Sequence, residues 1–120
     1  MRITRSVGKQ RDSSRDELED FGRFSEPALL ILISLADGAK HGYAMTDDIA
    51  SLADVQLGPG TLYGAIARLE SRELIEPIGP DDRRNPYRIT ALGEKALKLR
   101  LTTLEAVARA GRRRLAAAGA

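Results

Sequence analysis

One short segment gathers residues able to meet a polyanion: Gly58-Pro59-Gly60-Thr61-Leu62-Tyr63-Gly64. Pro59 has its φ already set for the first position of a helix, where its missing N–H costs nothing. The free N–H groups of a first helical turn suit a phosphate oxygen. Gly60 lets the backbone approach a partner closely. Thr61 can hydrogen-bond a phosphate or touch a thymine methyl in a major groove, and Tyr63 offers a second hydroxyl. Leu62, Ile66 and Leu69 fall on one helical face. Thr61, Gly64, Ala65 and Arg68 are expected on another, where small side chains would let the helix sink into a groove. No Gly-Lys-Ser/Thr follows, which excludes a nucleotide-binding P-loop.

Two further groups carry the same chemistry. Lys40 and Tyr43, in Lys40-His41-Gly42-Tyr43, are candidates for the phosphate backbone, while His41 suits a cap or a packing position. Arg83 and Arg84 stand in the polar stretch 79–85 and are candidates for phosphate or minor-groove contact. Asp81 and Asp82 beside them weaken the local field.

The elements that must hold these residues are legible from periodicity and breakers. Residues 1–14 lack apolar periodicity and read as a mobile basic tail. A short amphipathic helix over 15–23 would place Leu18 and Phe21 on one side. Ser25 and Pro27 signal the start of a buried helix of about ten residues that stops at Asp37-Gly38. A second helix is expected over 42–53 and a third over 59–72, separated by the break at Leu57-Gly58-Pro59-Gly60. Residues 74–78 and 86–90 read as two short strands of a hairpin with a long polar tip. Pro77 cannot donate to a ladder and must face outward or sit at a bulge. Thr90 can cap a final helix over 91–117, ~40 Å long at 1.5 Å per residue. Along it Leu97, Leu101, Leu104, Ala108, Gly111 and Leu115 follow a heptad seam.

Three helices closed by a two-stranded hairpin form a winged helix-turn-helix, mainly α with a small β-hairpin. The expected division is a tail (1–14), a DNA-binding domain (15–90, with the wing over 74–90) and a C-terminal dimerisation helix (91–120). In such a unit the second helix of the pair enters the major groove. The groove-facing set is then Pro59, Gly60, Thr61, Tyr63, Gly64 and Arg68, flanked by Lys40, Tyr43, Arg83 and Arg84. Leu18, Phe21, Leu97, Leu101, Leu104, Ala108 and Leu115 are the expected dimerisation residues.

Composition excludes much else. The chain has 120 residues, 42% hydrophobic and 30% charged, which is globular rather than disordered. With no Cys and one His there is no material for disulfides, thiolate metal sites or His clusters, and neither a metal nor a cofactor is expected. An enzyme is disfavoured because no nucleophile–base pair or framed pair of carboxylates is visible. No apolar run approaches the ~20 residues of a membrane span, and the N-terminus lacks a signal-peptide stretch, so a cytoplasmic protein is expected. The net charge of +2 hides strong patterning. Residues 1–15 sum to +4, 16–54 to −7, 55–80 to −1 and 81–120 to +6. Basic patches can hold a polyanion even when the total is small. The weak total and the acidic stretch also admit an alternative, a winged-helix adaptor for protein partners without specific DNA binding.

Three ordered segments resemble the PadR family of transcriptional regulators. They are Lys40-His41-Gly42-Tyr43-Ala44-Met45, Gly58-Pro59-Gly60-Thr61-Leu62-Tyr63 and Tyr87-Arg88-Ile89-Thr90-Ala91-Leu92-Gly93. The family shows a His-Gly-Tyr start to its second helix, a Ser-Pro-Gly-Thr-Leu-Tyr opening to its recognition helix and a Tyr-x-Leu-Thr-x-x-Gly segment after the wing. The likeness covers about residues 26–100. Gly58 departs from the usual Ser, which removes a side-chain N-cap worth ~0.5–1 kcal/mol. The resemblance implies a homodimeric repressor on a palindromic double-stranded operator, relieved by a small-molecule effector. With five aromatic residues and no Trp, a broad aromatic pocket is disfavoured and a small apolar effector is the compatible kind.

Overall fold

The computed structural model describes residues 26–80 and 85–119. Their order is α1 (Pro27–Leu35), α2 (Gly42–Ala53), α3 (Pro59–Ser71), β1 (Ile75–Pro77), β2 (Tyr87–Ile89) and α4 (Ala91–Ala117). The tail, the 15–23 segment with Leu18 and Phe21, and the hairpin tip with Arg83 and Arg84 lie outside the described residues.

The apolar run after Pro27 is a helix buried on nearly every side. Leu29, Leu30, Ile31, Leu32, Ser34 and Leu35 are all buried, and α1 touches α2, α3, α4 and β2. A helix satisfies its own backbone hydrogen bonds, which is what permits such central placement. Ser25 does not occupy the cap position: Glu26 does, without a side-chain cap bond. Pro27 sets this boundary, because it takes the first helical position itself. The Glu26 carboxylate instead accepts from Arg100 Nη2 of α4 at 2.9 and 3.1 Å.

Helices α2 and α3 close over α1 with Met45, Ile49, Leu62, Ile66 and Leu69. Ala65, expected on the exposed face of α3, is fully buried among them. It lies one residue from Ile66 and three from Leu62, so the buried stripe is wider than the leucine spacing alone suggests. Val55 and Leu57 are buried in the short connection and pin the turn that sets α3 against α2.

The end of α3 has a cap that no glycine announces. Glu73 adopts a left-handed conformation with φ 64°. Its N–H donates to Glu70 O at 2.9 Å, and the Leu74 N–H reaches back to Leu69 O at 3.0 Å. That is a Schellman closure built on a residue that is strained there. Glu73→Gly is expected to stabilise the protein by about 0.5–1 kcal/mol, seen as a melting temperature a few degrees higher.

The hairpin pairs Ile75 with Ile89, Glu76 with Arg88 and Pro77 with Tyr87. The strands are shorter than expected, but backbone bonds from Ile78 N to Pro86 O (2.9 Å) and Thr90 N to Leu74 O (3.0 Å) carry the ladder across the expected span. Pro77 is exposed, on the strand edge that suits a residue without an N–H. Asn85 Nδ2 donates to Gly79 O at 3.1 Å and closes the base of the tip.

Thr90 caps α4: its Oγ1 accepts from Gly93 N–H at 3.0 Å and donates to Glu73 O at 2.8 Å. One hydroxyl thereby ties the end of α3 to the start of α4. Leu97 is buried and Leu104 packs at the core's edge. From Glu105 to Gly119 every residue is exposed except half-buried Ala110. This half of α4 is not covered by the core of the described residues. No helix of the described residues is long and apolar enough to cross a membrane.

Candidate nucleic-acid interface

The first turn of α3 stands clear of the molecule. Gly58, Pro59, Gly60 and Thr61 are all exposed, and Gly58 at the cap position supplies no side chain to the turn. The first intrahelical bond runs from Leu62 N to Gly58 O at 2.9 Å. The N–H groups of Gly60 and Thr61 precede it, at the positive end of the helix dipole.

Among the described residues, the glycines without a positive φ fall into two classes. A Cβ on Gly42 would overlap the Tyr63 hydroxyl, and one on Gly93 would overlap the Leu74 carbonyl oxygen. At Gly93 the obstacle is backbone and packing demands glycine, whereas at Gly42 the exposed Tyr63 side chain would have to shift. A Cβ on Gly58 or Gly60 would meet nothing within 4 Å among the described residues, and one on Gly64 would meet only Arg68 Nη1 at 3.7 Å. None of these three has a positive φ. Among the described residues neither the interior nor the backbone asks for glycine at 60 or 64, although glycine inside a helix costs about 1 kcal/mol relative to alanine. The open space lies outside.

Two exposed tyrosines stand by the junction of α2 and α3. Tyr43 is 78% exposed and Tyr63 52% exposed. They border an open cleft of about 260 Å³ between α2 and the start of α3, lined also by Thr46, Leu57, Pro59 and Leu62. The Tyr63 phenol is braced on Gly42, which gives the small residue at the α2 start its physical reason.

Lys40 is placed differently from Tyr43. Its ammonium donates to Ser34 O and to Asp37 Oδ1, the latter at 2.7 Å, and Asp48 Oδ2 stands 4.0 Å away. The ammonium holds the Asp37 carboxyl below its ordinary range. Its backbone pairs with Tyr87 in both directions, at 3.0 and 2.9 Å. Burial pushes the Tyr87 phenol above its usual value, with Glu70 and Tyr63 adding to the rise. Arg68 and His41 are exposed, and Arg88 pairs with Glu76 across the hairpin at 2.7 Å.

The three sequence segments thus meet in space. Tyr63 of the second lies on Gly42 of the first, and Tyr87 of the third is bonded to Lys40 of the first. The family model described as the transcriptional regulator PadR-like family matches residues 31–99. The chain belongs to the PadR-like family.

The chain is also similar to solved structures. A PadR family transcription regulator from Clostridium difficile superposes with a TM-score of 0.68, at 23% identity, over 76% of this chain and 99% of that one. A transcriptional regulator from Clostridium thermocellum gives 0.64 at 31% identity, over 72% and 89%. An uncharacterized 37.1 kDa protein of transposon TN4556 from Streptomyces fradiae is 41% identical over 76 residues, which are 63% of this chain. The chain spans about a fifth (22%) of that relative's length.

Within this PadR-like fold, Tyr43, Pro59 and Tyr63 line one cleft, while on α3 Gly60, Thr61 and Arg68 are exposed and Gly64 is half-buried. Lys40 is held in its own network with Ser34, Asp37 and Asp48, its side chain only 20% exposed. On α4, Leu97 and Leu104 of the expected seam serve the chain's own core, while Leu101, Ala108 and Leu115 are exposed. Sequence reading missed Leu92, Leu99 and Val107, all exposed on α4. Their spacings of seven and eight are the signal that could have shown a second apolar stripe. It also missed the supporting roles of Gly42 and Tyr87, although both lie inside the motifs.

Proposed function

We propose that this PadR-like regulator binds double-stranded DNA sequence-specifically as a homodimer, with α3 in the major groove. Repression then follows from occupation of a promoter. The observation that carries the reading is the pair of helix glycines, Gly60 and Gly64, which packing among the described residues does not need. A small-residue helix face beside Thr61, Tyr43 and Tyr63 fits a groove and its phosphate walls. In this reading Arg68 borders the same groove, and Arg83 and Arg84 at the hairpin tip reach the neighbouring backbone. The exposed Leu101, Ala108 and Leu115, joined by Leu99 and Val107, support pairing with a second copy through α4. Leu97 and Leu104 would back that interface from the core, and Leu18 and Phe21 would extend it. A two-fold dimer reads half-sites ~34 Å apart, which makes a palindrome the natural operator. A small apolar effector would release the operator by favouring a different separation of the two α3 helices, which requires unequal affinity for the two states.

Fluorescence anisotropy against salt concentration tests the wing's part. Arg83→Ala combined with Arg84→Ala is expected to weaken binding to operator and random duplex alike. The log–log salt slope should fall by about 0.9 for each phosphate that is no longer neutralised, roughly 1.8 per protomer if both arginines reach one. An unchanged slope would remove the wing from the interface.

A further inference from the structure

We propose that Lys40 is a positioning residue: it clamps the α1–α2 loop so that the hairpin is held in register with α3, and it makes no phosphate contact itself. Its consequence for DNA rests on the reading above, but its structural core does not.

The ammonium has three protons to donate. Two go to Ser34 O and Asp37 Oδ1. Ser34 O belongs to the last turn of α1, where carbonyls lack intrahelical partners and a cation is favoured by the helix dipole. Ser34 itself is buried, and its hydroxyl donates to Asp48 Oδ2 of α2 at 2.7 Å. Lys40 therefore closes a small polar network joining α1, α2 and the loop between them. Two carboxylates, Asp37 and Asp48, stand near one ammonium. A phosphate arriving there would meet a local excess of negative charge.

The same residue's backbone does the second half of the work. Lys40 N–H donates to Tyr87 O, and Tyr87 N–H donates to Lys40 O. The loop thereby adds a one-residue third edge to the two-stranded hairpin. Two residues further on, Gly42 carries the Tyr63 phenol of α3. A loop fixed by the ammonium thus sets β2 on one side and α3 on the other. Freeing it lets the hairpin and α3 shift relative to each other, which blurs sequence discrimination without removing a charge contact.

Amide hydrogen exchange of the full chain without DNA tests the clamp. Lys40→Met keeps the aliphatic stem and removes the donors. It is expected to cut protection of the Tyr87 amide by about tenfold while amides of α1 and α3 keep theirs, a local opening that general destabilisation would not produce. Lys40→Arg, which keeps donors, should restore protection. Unchanged Tyr87 protection in Lys40→Met would overturn the proposal. Should that variant not fold, Asp37→Asn, at an exposed carboxylate, carries the test. A smaller loss confined to the Tyr87 amide supports the clamp, and full protection there overturns it. On random duplex DNA the Lys40→Met salt slope should equal that of the unmodified protein. A fall of about 0.9 would identify a phosphate contact instead. If the unmodified protein binds no DNA, the functional reading fails while the exchange result still decides the clamp.

Discussion

Gly93→Ala is expected to cost the fold about 2–3 kcal/mol, a large share of the ~5–15 kcal/mol that holds a small protein together. The added Cβ would overlap the Leu74 carbonyl oxygen, lie 2.8 Å from Ile89 Cγ1 and lie 3.0 Å from the Leu74 carbonyl carbon. The obstacle is backbone, and that backbone is engaged. Leu74 O accepts from Thr90 N–H at 3.0 Å, and Leu74 N–H closes α3 on Leu69 O at the same distance. Moving it aside would disturb the hairpin base, the α3 cap and the first turn of α4 together. Thermal unfolding followed by circular dichroism should show a melting temperature lower by about 10 °C or more. A drop of only a degree or two would mean that α4 does not cross the hairpin base this closely.

Gly64→Ala should act in the opposite direction on stability and damage function. The new methyl has room, because its nearest neighbour is Arg68 Nη1 at 3.7 Å. Alanine in place of a helical glycine should then add about 0.5–1 kcal/mol. If α3 lies in a groove, the same methyl occupies space meant for DNA. Weakening the close approach by about 1.4 kcal/mol or more lowers operator affinity tenfold or more. The signature is a higher melting temperature together with lower affinity. Higher stability with unchanged affinity would place this face of α3 away from DNA. The two glycines thus give opposite stability effects from one structural distinction: Gly93 is closed in by its own chain, and Gly64 is not.

The fold was largely legible because its signals are local. Pro27 and Pro59 start helices, Thr90 caps one, and Asp37-Gly38 ends one. The hairpin was announced by the turn-rich stretch between two short apolar runs. What stayed hidden depends on three-dimensional neighbours or strain. Ala65 is too small to declare a face, and only the packing of α1, α2 and α3 buries it. Glu73 takes a left-handed conformation that glycine would normally advertise. Lys40 is a phosphate candidate in sequence, and although Asp37 stands only three residues away, the convergence of Ser34 O and Asp48 on the same ammonium is made by the fold. On α4, the heptad count could not divide leucines between the chain's own core and a free surface. Leu97 goes to the first, while Leu115 is 61% exposed.

Reading of DNA sequence by α3 in the major groove is tested most directly by selection. The full chain would select from a pool of random-sequence duplexes at ~0.1–0.15 M salt, with the bound fraction read by sequencing. An inverted repeat should be enriched, its half-site centres about one helical turn, ~10 base pairs, apart. Gly64→Ala should enrich it poorly or not at all. A pool that stays random after repeated rounds would contradict sequence reading by α3.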